Sequence, residues 1–482
     1  MAQDYIISGD TLTDIASSIR DVKGIGVPIN TSDFAEEIRR IEVQEDLADE
    51  MTTQDELIAQ ITAALEGKAA GGGASVTEKD VNYYDYDGTL LYSYSKAEAL
   101  ALTEEPALPE QKGLICQGWN VSLEEMQSYV SQHGWHDVGA MYTTDDGKTR
   151  LYIHLGEEGR TSPRVGVRPV GTVKVDWGDG TEPDILTGKA NNGSAQFTPV
   201  HEYAKTGDYV ITIEVVDGYA DLNHYVLNVT DDSSGTTLDR IYRRSLRKVE
   251  IGNNIRQLYR AFSGCTNLTS VSISNGLTSL GYGGFQSCSS LSHVVVPNSV
   301  TGFGTYTFQN CYSLKNVIVS SGFTTLGSDT FSEDRLLKRF AIPNSVTMID
   351  SNAFKNCYNL KSAPIPSGVT EIGSSAFHNC TRLESVIIPK GVTWLYGYVF
   401  SGCYALTSIT VPKSVTTYSN YALAVAYARV YDFTDFDTAP KITSDIFSGI
   451  APDAKIFVQE ALVDEFKAAT NWAKYADYIV GV

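Results

Sequence analysis

The stretch IPSGVTEIGSSAFHNCTRL, residues 365–383, decides the fold because its pattern returns along the chain at a fixed interval. Its Phe377 belongs to an evenly spaced series, Phe262, Phe285, Phe308, Phe331, Phe354, Phe377 and Phe400, which no insertion interrupts. Three positions after each stands Cys265, Cys288, Cys311, Asp334, Cys357, Cys380 or Cys403, and three further on Leu268, Leu291, Leu314, Leu337, Leu360, Leu383 or Leu406. Apolar anchors repeating in register at such a period mark a solenoid, in which each coil buries its face against the next. Within a coil, Val294-Val295-Val296-Pro297 or Val386-Ile387-Ile388-Pro389 reads as a short strand and turn. The AFKNCYNL (353–360) and AFHNCTRL (376–383) blocks read as the turn-rich return.

The ladder cysteines read as a buried row of small apolar side chains. Asp334 in the middle of the row supports this, since a metal cage does not survive the loss of a ligand there, whereas a packing row tolerates one irregular coil. The chain's 7 Cys form no C-x-x-C pair, so neither a zinc ribbon nor a disulfide framework is expected. His293 and His378 sit at unequal repeat positions and are expected on the surface. Alternation sends the middle of each strand outward: Ser272, Val295, Ile318, Ala341, Pro364, Ile387 and Thr410. The apolar members make a strip that is either a subunit or domain contact or a ligand surface. Tyr312, Tyr358 and Tyr404, each directly after a ladder Cys position, form a second row, suited to recognising sugars or proteins or else packing coil on coil.

The pattern IP-x-S/G-VT-x-IG-xx-AF-xx-C-xx-L, nearly literal in Ile365–Leu383, resembles the BspA-type leucine-rich repeats over roughly residues 245–430. The resemblance implies a leucine-rich-repeat solenoid, placed here at 240–430 with seven 23-residue repeats. Residues 431–482 read as a strand, a helix with Leu462, Phe466 and Trp472 inward, and a tail, which looks like the α/β cap that closes such solenoids.

Upstream, VKVDWGDGTEPD (173–184) and PVHEYAKTGDYVITIEVVDG (199–218) look like a PKD-type, immunoglobulin-like β-sandwich over 163–230, with Trp177 in its core and Gly178-Asp179-Gly180 a turn. An α+β module is expected at 76–160, with a helix at 122–134 and a strand at 150–155. Its YDYDGTL (84–90) resembles the D-x-D-G-T signature of haloacid-dehalogenase-type phosphotransferases, in which Asp85 would attack phosphorus and Asp87 act as general acid and base. That fold needs a hydrophobic parallel strand before the nucleophile and a doubly wound sheet after it. The chain around Asp85 supplies too little of either, so Asp87-Gly88 is read as a hairpin turn and the phosphatase is kept as a remote alternative. No catalytic, metal or cofactor site is expected.

At the start, Leu12, Ile15, Ile19 and Val22 lie on one helical face, and a second helix carries Phe34, Ile38 and Ile41, giving a helical attachment domain at 1–43. Leu47, Met51, Gln54, Ile58, Ile61 and Leu65 recur at alternating spacings of four and three, as a coiled coil at 44–68 that favours a homotrimer, followed by a Gly-rich linker at 69–75. Much of residues 1–160 resembles tail-associated fibre proteins of phages that infect Gram-positive bacteria.

A net charge of −21 argues against nucleic acid and anionic membranes as partners, and no run of 18 apolar residues predicts membrane insertion. The beginning of the sequence lacks a basic region and an apolar run of the export type, so assembly in a cytoplasm is expected. Together these readings give a multidomain, mainly β, modular protein: a virion tail-fibre, receptor-binding protein that adheres multivalently to a host-cell surface receptor, glycan or protein, and joins other virion tail proteins. A bacterial cell-surface BspA-like adhesin and a capsid-decorating virion protein stand as the alternatives.

Overall fold

The computed structural model describes residues 78–156, 162–188, 197–223, 226–227, 243–425, 427–443 and 445–482. The expected attachment helices, the coiled-coil seam of Leu47, Met51, Gln54, Ile58, Ile61 and Leu65, and the Gly-rich linker lie outside the described residues. The described part is mainly β, and none of its helices is long and apolar enough to cross a membrane.

The repeat region is a continuous stack of coils. All seven phenylalanines are buried, and each ring lies over the next at centroid spacings from 5.2 to 5.8 Å and interplanar angles from 2° to 20°. The backbone repeats with them. The N–H groups of Phe262, Phe285, Phe308, Phe331, Phe354 and Phe377 donate to the carbonyls of Gly284, Thr307, Thr330, Ala353, Ala376 and Val399 in turn, each in the next coil, at 2.8 to 3.0 Å. Each turn around a Phe needs two left-handed residues, two before and two after it, as at Ser375 and Asn379 around Phe377 and at Asn352 and Asn356 around Phe354. Such backbone favours Asn, Gly and Asp, whose short side chains tolerate it. The Asn row also bonds between coils, with Asn379 Nδ2 donating to Asn356 Oδ1 at 2.8 Å.

The thiols occupy the interior as expected. Those of Cys288, Cys311, Cys357, Cys380 and Cys403 donate to the carbonyls of Phe262, Phe285, Phe331, Phe354 and Phe377, one coil earlier, at 3.0 to 3.1 Å. Burial pushes up the thiols of Cys288, Cys311, Cys357 and Cys380, and that of Cys265 to about 12, so these are inert packing groups. Asp334 sits in the same row, fully buried; its Oδ1 accepts from the Cys311 N–H at 2.8 Å, while Oδ2 has no partner.

Each coil contributes to two parallel ladders. One carries short strands such as Ser270–Ile273, His293–Val295 and Asn316–Ile318, the other two-residue strands such as Thr325–Leu326, Met348–Ile349 and Glu371–Ile372. The rhythm outlasts the phenylalanines. Leu423 and Ile446 continue the same series beyond Phe400, both buried and joined by Leu423 N–H to Ile446 O at 3.0 Å. The first ladder likewise runs on through Val430–Asp432, Lys455–Val458 and Ile479–Gly481. Residues 431–482 therefore extend the sheet before closing it with a short helix, Val463–Ala468, whose Phe466 is buried with Trp472 as expected, while Leu462 is only partly covered.

Four strands build the α+β module in the order β2-β1-β4-β3: β1 (Val81–Tyr84), β2 (Leu90–Tyr94), β3 (Leu114–Trp119) and β4 (His136–Thr144). Helices α1 (Lys96–Leu100) and α2 (Leu123–His133) start in capping boxes, Ser95 with Glu98 and Ser122 with Glu125. The hairpin reading of Asp87-Gly88 matches the backbone. β1 and β2 pair antiparallel, Gly88 has φ +92°, and Asp87 Oδ1 accepts the Thr89 N–H at 2.9 Å.

The following strands do not stand apart from the repeats. β5 (Thr149–Leu155), which the sequence groups with the module, instead pairs antiparallel with β8 (Gly207–Val215) and with β10 (Leu246–Ile251), the first strand of the first ladder. β6 (Val167–Asp176) pairs with β7 (Asp184–Gly188), β8 and β9 (Tyr219–Asn223), and β9 pairs parallel with β11 (Ile255–Tyr259) of the second ladder. β10 passes the sheet on to Ser270–Ile273, β12 in chain order. The strands before the repeats thus cover the N-terminal edges of both ladders, which would otherwise offer unpaired N–H and C=O groups. Trp177 is buried as predicted, its indole N–H donating to Asp184 Oδ2 at 2.9 Å, with His201 stacked on it at 5.0 Å. His201 Nε2 also meets Asp179 Oδ2 at 2.7 Å.

Candidate interaction surface

The outward strip predicted from strand alternation is divided by the chain's own module. Val295 is 4% exposed and Ile318 is 3% exposed, packed in a small cluster with Tyr84 and Met141, and with Leu90 alongside. β4 lies so close that a Cβ at Gly139 would come within 2.5 Å of Val295 Cγ2. Glycine is required there by the approach of one sheet to another. Ser272 is buried as well, Ala341 and Pro364 are half-covered, and Ile387 is 77% exposed. For Val295 and Ile318 the domain-contact alternative is the one realised, and they leave the list of candidate ligand residues.

Polar groups fix the module on the strip. Asp137 receives two hydrogen bonds from Arg339, Nη2 to Oδ1 at 2.6 Å and Nε to Oδ2 at 2.9 Å, and the guanidinium lies 4.8 Å from the Trp135 ring. Burial disfavours the charge on Arg339, but Asp137 outweighs it and raises the pKa. Asn120 Nδ2 donates to Val319 O at 3.0 Å, and Ser321 Oγ bonds to Glu125 Oε1. His293, expected on the surface, is instead buried beneath the hairpin beside Tyr84, with neither ring nitrogen hydrogen-bonded. The cause is the module itself, which roofs this coil; burial pushes His293 down to about 4.

The tyrosine row stands on the surface. Tyr312 and Tyr404 are exposed and Tyr358 is half-covered. Arg335, one coil after Tyr312 and one before Tyr358, places its guanidinium 5.1 and 5.9 Å from their rings. Tyr404 continues edge-on to Tyr427 at 5.3 Å, one coil on. Exposed aromatics also appear where the sequence reading did not look. Trp394 stacks on Tyr396 at 4.7 Å, and Tyr398 on Tyr421 at 4.8 Å. Their signal was available: Trp394 occupies the outward place of the second ladder that holds Thr325, Met348 and Glu371 in earlier coils. The open surface is therefore aromatic and apolar at the C-terminal coils.

The phosphatase residues take structural parts. Asp85 is buried, accepts the Tyr86 N–H at 2.8 Å and the Gln111 amide at 2.5 Å, and burial raises its pKa. A carboxylate enclosed in this way is held by its neighbours and is not presented to a substrate.

Comparison with known proteins gives the repeats their family. The BspA type leucine rich repeat region family matches in six copies, over residues 241–361 and 324–452. No curated protein matches the chain. Among solved structures, a leucine rich repeat protein of T. pallidum is 25% identical over 34% of this chain and 82% of its own, with a TM-score of 0.30. A leucine-rich repeat protein from Bacteroides ovatus is 19% identical over 52% of this chain and 69% of its own, TM-score 0.36. The pneumococcal vaccine antigen PcpA is 17% identical over 49% and 66%, TM-score 0.34. With the matched segments coinciding with the stacked coils, residues 241–452 are a BspA-type leucine-rich repeat region.

Proposed function

We propose that the chain is a BspA-like adhesin-type protein that binds a receptor, glycan or protein, through the open C-terminal coils of its solenoid. The observation that carries this reading is the unequal fate of one repeat position: Val295 and Ile318 are sealed by the chain's own module, while Ile387 is left 77% exposed. Exposed apolar surface of this kind marks an interaction site, and the tyrosine pair Tyr404 and Tyr427 adds rigid amphipathic area to the same coils.

The repeat family favours the surface-adhesin alternative over the virion tail fibre. The tail-fibre reading rested on residues 1–160, of which 1–77 and 157–160 lie outside the described residues. A repeat fold of this type typically serves adhesion and scaffolding, in keeping with a binding role in place of catalysis. Burying an isoleucine contributes about 1.5–3 kcal/mol, so Ile387→Ser should weaken each contact by about tenfold or more. The test is flow cytometry of fluorescent full-length chain on epithelial and on bacterial cells. Binding reduced by Ile387→Ser and Tyr404→Ala supports the reading, and binding to neither cell type overturns it.

A further inference from the structure

Among the described residues the module, 78–144, is joined to the rest of the chain by one turn, Asp145–Lys148, which lies between β4 and β5 and holds Gly147 at φ +72°. The module has a core of its own, with Tyr83, Trp119, Met126, Val130 and Tyr142 in it, distinct from the core of the stacked coils. What fastens it to the coils is mostly polar: the Arg339–Asp137 pair and hydrogen bonds that water can replace, such as Thr143 Oγ1 to Asn253 Oδ1 at 2.6 Å, around the small apolar patch of Tyr84, Met141, Val295 and Ile318. Two folded units joined by one short connection and a largely polar contact are free to move against each other.

Titratable groups sit in this contact. His293 opens its strand at a place where other coils carry Ser270, Asn316, Arg339, Ser362, Ser385 and Ser408, and the hairpin presses on it so closely that a Cβ at Gly88 would come within 2.8 Å of His293 Cβ. It faces the Tyr84 ring at 5.3 Å and Asp87, whose Oδ1 already accepts the Thr89 N–H, while Ser270 and Asn316 of the adjoining coils are uncharged. Neither ring nitrogen has a partner, so a second proton on the ring would leave two buried N–H donors unmet. Burial accordingly holds its pKa down to about 4 against the opposing pull of Asp87. On the module side His136 is buried too, facing Tyr129, His133 and Glu125 of α2, its neighbour Asp137, and Arg339 of the solenoid, and burial lowers its pKa as well. Glu125 adds to this only at more acid pH, where the carboxyl that Ser321 holds below its usual range takes up a proton. A histidine whose pKa is lower covered than bared favours the covered state above the bared value and loses that preference as pH falls. For His293 alone, values of about 4 covered and 6.5 bared move the balance toward release about thirtyfold between pH 7.5 and pH 5.

We propose that the module is an acid-released cover: it leaves the first ladder as a folded unit by turning at Asp145–Lys148, and so adds Val295 and Ile318 to the open strip. The release stands on the contact alone, and what the bared strip then does rests on the adhesion reading. Hydroxyl-radical footprinting of the full-length chain, read by mass spectrometry, uses two native methionines, both buried: Met141 in the contact patch and Met126 in the module's own core. Oxidation of Met141 should rise about tenfold or more from pH 7.5 to pH 5, with Met126 unchanged. His293→Phe, which keeps a ring there without its charge, and His293→Asn, the residue of the next coil, should each protect Met141 at pH 7.5 as the parent does and lose most of the rise. The release is overturned if Met141 does not respond, if Met126 rises with it, which reports unfolding of the module, or if neither variant lessens the response. Cell binding measured by flow cytometry at the same two pH values should strengthen at pH 5 in the parent and not in His293→Phe; equal binding at both would overturn the part given to the bared strip. Met141 opening while no cell is bound at either pH would remove the adhesion reading and leave the release standing, whereas a closed Met141 with binding sensitive to Ile387→Ser would do the reverse.

Discussion

Replacing Asp334 by Cys, the residue used by the other coils at its position, should stabilise the solenoid at neutral pH. The carboxyl is fully buried, Oδ2 has no partner, and burial together with the Glu333 charge raises its pKa well above the usual carboxylate range. A folded-state pKa raised above the unfolded value favours the folded state fully only below the unfolded pKa of about 4. That contribution is lost as pH rises through the folded value. A thiol avoids both penalties, since it stays protonated and has the Phe308 carbonyl as acceptor, as Cys311 has Phe285 O at 3.1 Å. Little is lost in exchange, because the Cys311 N–H already donates to Phe308 O at 3.1 Å in addition to Asp334. One unpaired buried oxygen costs about 1–3 kcal/mol, and above a pH of about 4 the folded state also bears the cost of holding on the buried carboxyl a proton that the unfolded chain has released. Asp334→Cys should therefore add about 2 kcal/mol at pH 7 and less of the charge-dependent part at pH 4. Hydrogen exchange at the amides of Phe308 and Phe331, followed by mass spectrometry at both pH values, reads this locally. Faster exchange in the variant, or a larger gain at pH 4 than at pH 7, would refute the reasoning.

Three further outcomes follow from the same geometry. Phe308→Ala removes a ring stacked on both sides and should cost about 3–5 kcal/mol, seen as a lower urea midpoint and fast exchange confined to neighbouring coils. Asp137→Ala leaves the Arg339 guanidinium in the module interface without its carboxylate, and should cost about 3 kcal/mol and raise exchange at Asn316–Ile318. His293 has its pKa lowered by burial to about 4, so the folded state is favoured above the unfolded value of about 6.5 and loses that advantage as pH falls from 6.5 to 4. The loss reaches about 3 kcal/mol at 1.36 kcal/mol per unit, with His136 adding in the same direction. His293→Gln should flatten this part of the profile in pH-dependent denaturation.

The sequence made the coils legible because a stack repeats its environment. Phe, Cys and Leu recur once per coil since each meets the same neighbours in the coils on either side, and Asp334 was recognisable as an irregularity for the same reason. The N-terminal closure was less legible. Alternation in β5 shows one buried face but says nothing of its edge, and the edge decides that it pairs with β8 and β10 and not with the module. His293 was misplaced, and the choice between a domain contact and a ligand surface for the Val295 strip stayed open, for a related cause. Periodicity tells which side chains leave the solenoid core, whereas what meets them outside depends on contacts between segments far apart in the chain, as Gly139 meets Val295. The open Trp394 could have been found by reading the outward place of the second ladder coil by coil, and Tyr398 by reading the left-handed position that Tyr306, Asp329, Asn352 and Ser375 hold in earlier coils.

The central claim, that the uncovered coils are the binding face, is tested most directly by the reactivity of a thiol placed on it. In full-length chain carrying Ile387→Cys and Cys116→Ser, the new thiol should react rapidly with maleimide in free protein, because the ladder cysteines are buried. On cell-bound protein the account predicts that labelling slows severalfold; labelling at the same rate bound and free would contradict it.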